Sequence, residues 1–275
     1  MTEWLLRYDG YDPEAEPLRE ALCTLGNGRF ATRGAASESS AGGPHYPGTY
    51  AAGVFNRLSV TMAGQPVENE SMVNLPNWLS LTFRVEDGPW LDVDRDHIED
   101  YVQELDLRRG VLTRRFRVVD AEGRITAVAQ RRFVSMADPY CAGQDATIVA
   151  ENYDGTITVR SGLDAGVANT GVARYAGLGD QHLTCVLAET LDKTGVVVGV
   201  RTTQSRVEVG VGARHRVLRD GSPVDVPAEP VLREDYAGQD FTLTVQQGQE
   251  HTVEKTMALY TSQDRALSEP FGEAR

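Results

Sequence analysis

Residues 24–34 read TLGNGRFATRG, three glycines within eleven residues and arginines at positions 29 and 33. Glycine-rich spacing can cradle a phosphate, because backbone N–H groups at a helix start converge on the anion. The dinucleotide fingerprint needs a third glycine, but position 31 is Ala31, and the following stretch reads as extended chain or loop. A Walker loop needs Gly-Lys-Ser/Thr, and none follows. Asn27-Gly28 is instead a two-residue hairpin signal, since both residues tolerate positive φ. The stretch reads as a turn.

Other chemistry-bearing residues are scattered. Asp92, Asp94 and Asp96 (DVDRD) open like a calcium loop, but His97 and Gln103 stand where Gly and Glu are required. An exposed strand face is the plainer reading. Histidines 45, 97, 182, 215 and 251 have no His or Cys at ligand spacing, so no metal is expected. No GxSxG marks a serine nucleophile. Forty acidic residues offer many carboxylate pairs for glycoside chemistry and single out none.

Two stretches carry groups suited to a sugar or a neighbouring domain. Trp78 in VNLPNWLS could stack on a sugar ring, although Leu75, Leu79 and Leu81 around it favour core packing. The loop Gly42–Tyr50 (GGPHYPGTY) breaks strand pairing with its glycines and prolines. It is expected to expose His45, Tyr46, Thr49 and Tyr50, which suit a polyol, a second domain or plain local packing.

The elements that must position these residues have a period of two. Leu81, Phe83 and Val85 share one face of LTFRVE; Ile157 and Val159 share one of TITVR. RVEVGV and FTLTV repeat the pattern with Val207, Val209, Val211 and with Phe241, Leu243, Val245. Turn residues at Asp87-Gly88, Ala121–Gly123, Asp154-Gly155 and Lys193–Gly195 read as hairpin connections between strands. Helix is nearly absent: Pro13–Leu22 suits a short one, and Ala266–Arg275 begins like one before meeting Pro270. More than a dozen strands without a βαβ rhythm predict an all-β sandwich in one domain.

Composition narrows the function classes. The net charge is −13, which disfavours nucleic acid and anionic membrane surfaces as partners. Cys23, Cys141 and Cys185 are far apart and odd in number, and read as buried free thiols in a reducing compartment. With no secretory signal and no long apolar run, a cytoplasmic location is expected.

Five phrases in fixed order carry a more specific message: EALCTLGNGRFATRG (20–34), PGTYAAGVFN (47–56), MVNLPNWLSL (72–81), LDLRRGVLTR (105–114) and RFVSMADP (132–139). Together with VEKTMALYTSQD (253–264) they resemble the N-terminal domain of glycoside hydrolase family 65, which includes maltose, trehalose and kojibiose phosphorylases and some hydrolases. Cys23 and Arg29 depart from the bulky apolar or aromatic residues expected there. The resemblance implies a large antiparallel super-sandwich of the galactose-mutarotase-like type over residues 1–265, with 266–275 starting a linker. It also implies an (α/α)6 catalytic barrel elsewhere in the polypeptide, a disaccharide substrate there, and a parent that can form a homodimer.

On this reading the chain holds no catalytic residue, metal or cofactor; the parent cleaves an α-glucosyl disaccharide by inverting phosphorolysis or by hydrolysis, and inorganic phosphate is its co-substrate if it is a phosphorylase. The residues expected near the substrate or the second domain are Arg33, His45, Tyr46, Thr49, Tyr50, Asn74, Asn77 and Trp78. The alternative is a stand-alone carbohydrate-binding sandwich; a dimerisation module is a third reading.

Overall fold

The computed structural model describes residues 4–62, 64–170, 179–265 and 269–275. In chain order the first elements are β1 (Leu5–Asp9), α1 (Glu16–Leu22), β2 (Leu25–Gly26), β3 (Phe30–Thr32), β4 (Thr49–Ala51), β5 (Phe55–Met62) and β6 (Gln65–Met72). Then come β7 (Leu81–Val85), β8 (His97–Asp106), β9 (Val111–Val119), β10 (Ile125–Val134), β11 (Cys141–Ala150) and β12 (Gly155–Asp164). The remainder is β13 (Leu183–Thr190), β14 (Gly195–Thr202), β15 (Glu208–Arg219), β16 (Ser222–Pro223), β17 (Ala228–Arg233), β18 (Tyr236–Val245), β19 (Glu250–Thr261) and α2 (Pro270–Glu273).

The alternation read from the sequence builds the sheets. In β9, Leu112, Arg114, Phe116 and Val118 are buried, while their neighbours lean outward. The large sheet runs β1-β8-β9-β10-β11-β19-β15-β14-β13, with β16 paired to β15. A second sheet, β17-β18-β12-β7, closes over it, and every pairing is antiparallel. The smaller sheet β2-β3-β4 and the hairpin β5-β6 stand apart. The expected all-β sandwich is the architecture found.

The core between the sheets is divided in two. One apolar cluster joins Phe116, Val128 and Ile148 to Phe83, Ile157 and Phe241. The other joins Leu105, Leu112 and Met257 to Phe30, Trp78 and Leu163. A row of buried polar side chains separates them. Gln103, Arg114 and Gln130 lie opposite one another across β8, β9 and β10. Two residues along β10, Arg132 continues the row to Gln144, Lys255 and His215 across β11, β19 and β15.

Each charge in the row has oxygen partners. Arg114 makes a two-pronged bond to Glu38 at 2.8 and 3.1 Å and also reaches Gln130 at 2.8 Å. Burial works against the Glu38 carboxylate, but Arg114 holds its pKa below the ordinary value. Arg132 donates to the carbonyls of Arg33 and Ala35 and to the Ser37 hydroxyl, at 3.0–3.2 Å. Burial and the nearby Arg114 charge bring its pKa down to about 9. Lys255 Nζ donates to the carbonyls of Trp78, Ser80 and Gly162 at 2.9, 2.7 and 2.9 Å. Burial and Arg132 push its pKa well below that of a surface lysine. The cations therefore grip, from inside, the irregular segments around 33–37 and 78–80.

Several turns differ from expectation. Ala121–Gly123 and Lys193–Gly195 do close hairpins, β9-β10 and β13-β14. Asp154-Gly155 does not: it carries the chain from β11 in the large sheet to β12 in the other. After Asp87-Gly88 no strand forms at 90–93; Leu91 N–H bonds back to the Phe83 carbonyl and the chain leaves the sheet. Turn residues mark where the chain bends, while the partner strand is set by burial elsewhere. The DVDRD segment is likewise a turn rather than a strand face, braced by Asp96 accepting from Asp92 N–H at 2.8 Å.

A short helix forms in each of the two expected stretches, but the second starts at Pro270 rather than being stopped by it. Pro17 sits in the first turn of α1, and Glu269 caps α2 by accepting from Phe271 and Gly272 N–H. The α2 turn lies on Gly199, Gly210 and Gly212 of β14 and β15; a Cβ at Gly212 would fall 1.6 Å from the Ala274 carbonyl oxygen. Only glycine permits this approach. Residues 266–268 of the expected linker lie outside the described residues. Cys23 is buried, whereas Cys141 and Cys185 are only half-buried, and all three thiols are free.

Candidate functional site

The site grows from the opening turn. β2 and β3 pair Gly26 with Ala31, and Asn27 N–H donates to the Phe30 carbonyl, so the two central turn residues are Gly28 and Arg29 rather than the expected Asn27 and Gly28. Gly28 takes φ +87°, whereas Asn27 does not enter that region. The Asn27 side chain does the rest: its Oδ1 accepts from Arg29 and Phe30 N–H, and its Nδ2 donates to the carbonyls of Ser135 and Pro139. Arg29 stacks on Tyr140 and pairs with Asp264. Cys23 lies against Gly34, where a Cβ would come within 2.5 Å of its own. Both departures from the expected bulky residues thus have packing reasons.

From β3 and β4 the rim of the sandwich is assembled around one histidine. His45 Nδ1 lies 2.8 Å from Glu20 Oε1, on α1, and Nε2 lies 3.0 Å from the Tyr11 hydroxyl. Tyr11 donates in turn to Asp94. Burial opposes a charge on His45, but Glu20, Asp94 and Glu16 outweigh it and raise its pKa. The bonding pattern explains why. An imidazolium donates from Nδ1 to Glu20 and from Nε2 to the Tyr11 oxygen, whose own proton goes to Asp94. A neutral ring would set a lone pair against that oxygen.

The second carboxylate oxygen of Glu20 accepts from Tyr46 N–H at 2.9 Å and lies 3.5 Å from Arg33 Nη2. Arg33 also donates to the carbonyls of Tyr46 and Pro17, both at 3.0 Å. The Tyr46 and Tyr50 hydroxyls lie 2.7 Å apart. Burial raises the pKa of both, so they remain hydroxyls at neutral pH. Thr49 N–H donates to Asn74 Oδ1, Asn74 Nδ2 to the Ala168 carbonyl, and Asn74 N–H to Asn169 Oδ1.

Six expected residues, Arg33, His45, Tyr46, Thr49, Tyr50 and Asn74, therefore share one hydrogen-bonded network. Their exposure differs from expectation. His45 and Thr49 are buried, because each satisfies polar groups inside the rim. Arg33, Tyr46 and Tyr50 keep partial access to solvent. Asn77 stands apart, bridging Asp164 through its backbone and accepting from Leu79 N–H. Trp78 is fully buried in the core, so its ring offers no platform for a sugar.

Glu20, Tyr11, Asp94 and Asn169 are the members that residue spacing did not reveal. Glu20 belongs to a quoted phrase and Asp94 to the supposed calcium loop, but their partners are 13 to 83 positions away. No local period encodes such a meeting. Both His45 nitrogens are engaged by hydrogen-bond partners. The network leaves Arg33, Tyr46 and Tyr50 partly accessible on a hydrogen-bonded frame. No group of His, Cys, Asp and Glu among the described residues is arranged to hold a metal ion.

A domain model described as glycosyl hydrolase family 65, N-terminal domain, matches residues 6–275. The chain belongs to that family. An uncharacterized glycosyl hydrolase of Mycobacterium tuberculosis is 46% identical over 96% of the chain. A kojibiose phosphorylase of Caldanaerobacter subterraneus is 31% identical over 78%, and a trehalose 6-phosphate phosphorylase of Lactococcus lactis is 29% identical over 95%. The chain spans 20%, 26% and 33% of these relatives. A solved human-microbiome protein named as a kojibiose phosphorylase superposes with TM-score 0.82 at 19% identity, over 99% of this chain and 34% of its own. That likeness supports the family 65 fold. Among the described residues no helix is long and apolar enough to cross a membrane.

Proposed function

We propose that this family 65 domain is a non-catalytic brace. It works within a longer polypeptide that cleaves an α-glucosyl disaccharide, with an (α/α)6 barrel supplying the catalytic groups. The reaction we favour is inverting phosphorolysis. A carboxylic acid protonates the glycosidic oxygen while a phosphate oxygen attacks the anomeric carbon from the opposite face, giving a glucose phosphate ester and the freed sugar. The phosphorylases among the relatives support phosphate as that co-substrate. Residues 266–275 would begin the connection to the barrel.

The observation that carries this reading is the rim. Arg33, Tyr46 and Tyr50 keep partial access to solvent, while His45, Glu20, Thr49 and Asn74 lock the backbone beneath them. Such a surface suits the positioning of a partner and the lending of hydrogen bonds to a sugar. The test has two arms. The 275-residue chain, given phosphate with maltose, trehalose or kojibiose, should release no glucose 1-phosphate; release would end the brace reading. In the longer polypeptide, Arg33→Ala should lower kcat/KM at least about tenfold, a loss of about 1.4 kcal/mol. An unchanged kcat/KM would remove the 44–50 loop from the sugar site.

A further inference from the structure

The DVDRD turn joins the rim through one hydroxyl, that of Tyr11. Within the turn the acidic side chains mostly serve their own segment. Asp92 accepts from Asp94 N–H at 3.0 Å and pairs with Arg95 at 3.2 Å, and Asp96 accepts from Asp92 N–H at 2.8 Å. Asp94 reaches outward instead. Its carboxylate accepts from the Tyr11 hydroxyl and lies 3.5 Å from His45 Nε2. The Tyr11 ring is held in place by stacking on His45, 6.4 Å between centroids, and by an edge contact with Tyr101 at 5.5 Å. With the ring fixed, the part that can still turn is the hydroxyl proton.

The charges around this hydroxyl match only when His45 is a cation. Glu16 and Glu20 act on it from α1 and Asp94 from the turn. Against them stand Arg19, 3.3 Å from Glu16, and Arg33, 3.5 Å from Glu20. Arg114 of β9 also acts on Glu16 but is paired with Glu38. Burial raises the Glu16 pKa, and above it the count is three carboxylates to two guanidinium groups, with His45 as the third cation. Burial and Asp94 also raise the Tyr11 pKa, so its proton stays on the phenol. As an imidazolium, His45 donates from Nε2 and the Tyr11 proton goes to Asp94. A neutral ring keeps Nδ1–H on Glu20 and turns Nε2 into an acceptor 3.0 Å from the hydroxyl. Burial then decides which acceptor takes the Tyr11 proton. The His45 side chain is 3% exposed, and among the described residues Tyr11 is the donor within reach of Nε2; Asp94 is 34% exposed and has water.

We propose that Tyr11 is a proton-operated clasp: its hydroxyl holds Asp94, and with it residues 94–96, while His45 is an imidazolium, and turns to Nε2 and releases them when the ring is neutral. Leu91 and Val93 are buried and stay in place, so the change is confined to the tip of the turn. Release is alkaline: the clasp is complete below the folded pKa of His45 and is lost as pH rises through it. The clasp does not depend on any partner or sugar assigned to the rim. The test is an NMR pH titration of the 275-residue chain carrying His97→Gln, which removes the exposed histidine beside Glu99 at the end of the turn. Between about pH 6 and 10 exposed carboxylates no longer titrate. Over that range the Cα and Cβ shifts of Arg95 and Asp96, which follow backbone angles, should move toward random-coil values with the midpoint of the His45 ring protons. Glu20→Gln should lower both midpoints together. Tyr11→Phe should leave Arg95 and Asp96 at their alkaline positions at every pH while His45 still titrates. Carbon shifts that stay constant through the His45 midpoint, that keep their own midpoint when Glu20→Gln moves that of His45, or that respond to pH in full in Tyr11→Phe would each overturn the proposal. The chain with its rim unsubstituted decides by itself if either rim variant fails to fold.

Discussion

His45 and His215 are equally hidden from solvent, at 5% exposure each, yet they titrate in opposite directions. His45 sits at the rim between Glu20 and the Tyr11–Asp94 pair, and its pKa is raised. His215 sits at the end of the interior row, beside Lys255, with Ser161 and the Thr194 carbonyl as partners. Burial and the Lys255 charge bring its pKa down to about 3. The difference lies in the compensating partners. The rim answers its cation with carboxylates. The row answers Arg132 and Lys255 with carbonyl and hydroxyl oxygens, reserving its one ion pair for Arg114 and Glu38. Burial alone therefore does not fix a charge state; the nearest formal charges do.

The hardest blow to this contrast should come from Arg114→Met, which leaves the Glu38 carboxylate buried and unanswered. A loss of about 3–5 kcal/mol is expected in urea unfolding. Arg114→Met with Glu38→Leu should recover much of it, and equal loss by single and double variants would show that packing, not charge, dominates the row. Glu20→Gln should cost less, about 1–3 kcal/mol, because the amide keeps the shape but loses the charge. Its diagnostic effect is a fall in the His45 pKa, read from its ring-proton shift against pH; an unmoved pKa would sink the rim account.

Acid and base should then separate the two histidines. The folded pKa of His45 lies above the unfolded one, so its stabilisation is complete below about pH 6.5 and disappears as pH rises through the folded value. His215 is depressed, so its stabilisation is present above about pH 6.5 and is lost as pH falls toward 3. His215→Gln should flatten the acid limb of the stability curve by up to about 1.4 kcal/mol per pH unit. His45→Gln should act only on the opposite limb. If both variants altered the same limb, the comparison would fail. The smallest effect is expected for Tyr50→Phe, which removes one hydroxyl pair and should cost about 0.5–1.5 kcal/mol while leaving the His45 pKa in place.

Much of the fold was legible because period-two alternation is local. Leu81, Phe83 and Val85 face inward in β7 as their spacing required. Arg114, Arg132 and Lys255 occupy inward positions of the same alternation and were invisible as core residues, since a charged residue reads as a surface one. The site was half legible. The glycines, tyrosines and prolines of 42–50 marked an irregular segment, but Glu20 and Asp94 reach it from distant elements. Asp87-Gly88 and Asp154-Gly155 misled for the same reason: a turn motif fixes a bend, and the neighbouring strand is chosen by tertiary packing.

The polar row also bears on how the domain comes apart. Strands β8, β9, β10, β11, β19 and β15 each give one end to each apolar cluster, with the row crossing them midway. A cooperative unit cannot then be a subset of strands, because peeling off any one of them breaches both clusters at once. Partial opening must instead run lengthwise, with one half of every strand fraying while the other stays paired. Amide hydrogen exchange in this sandwich should accordingly be graded along each strand, changing at the level of Arg114 and Lys255, rather than stepping from one strand to the next.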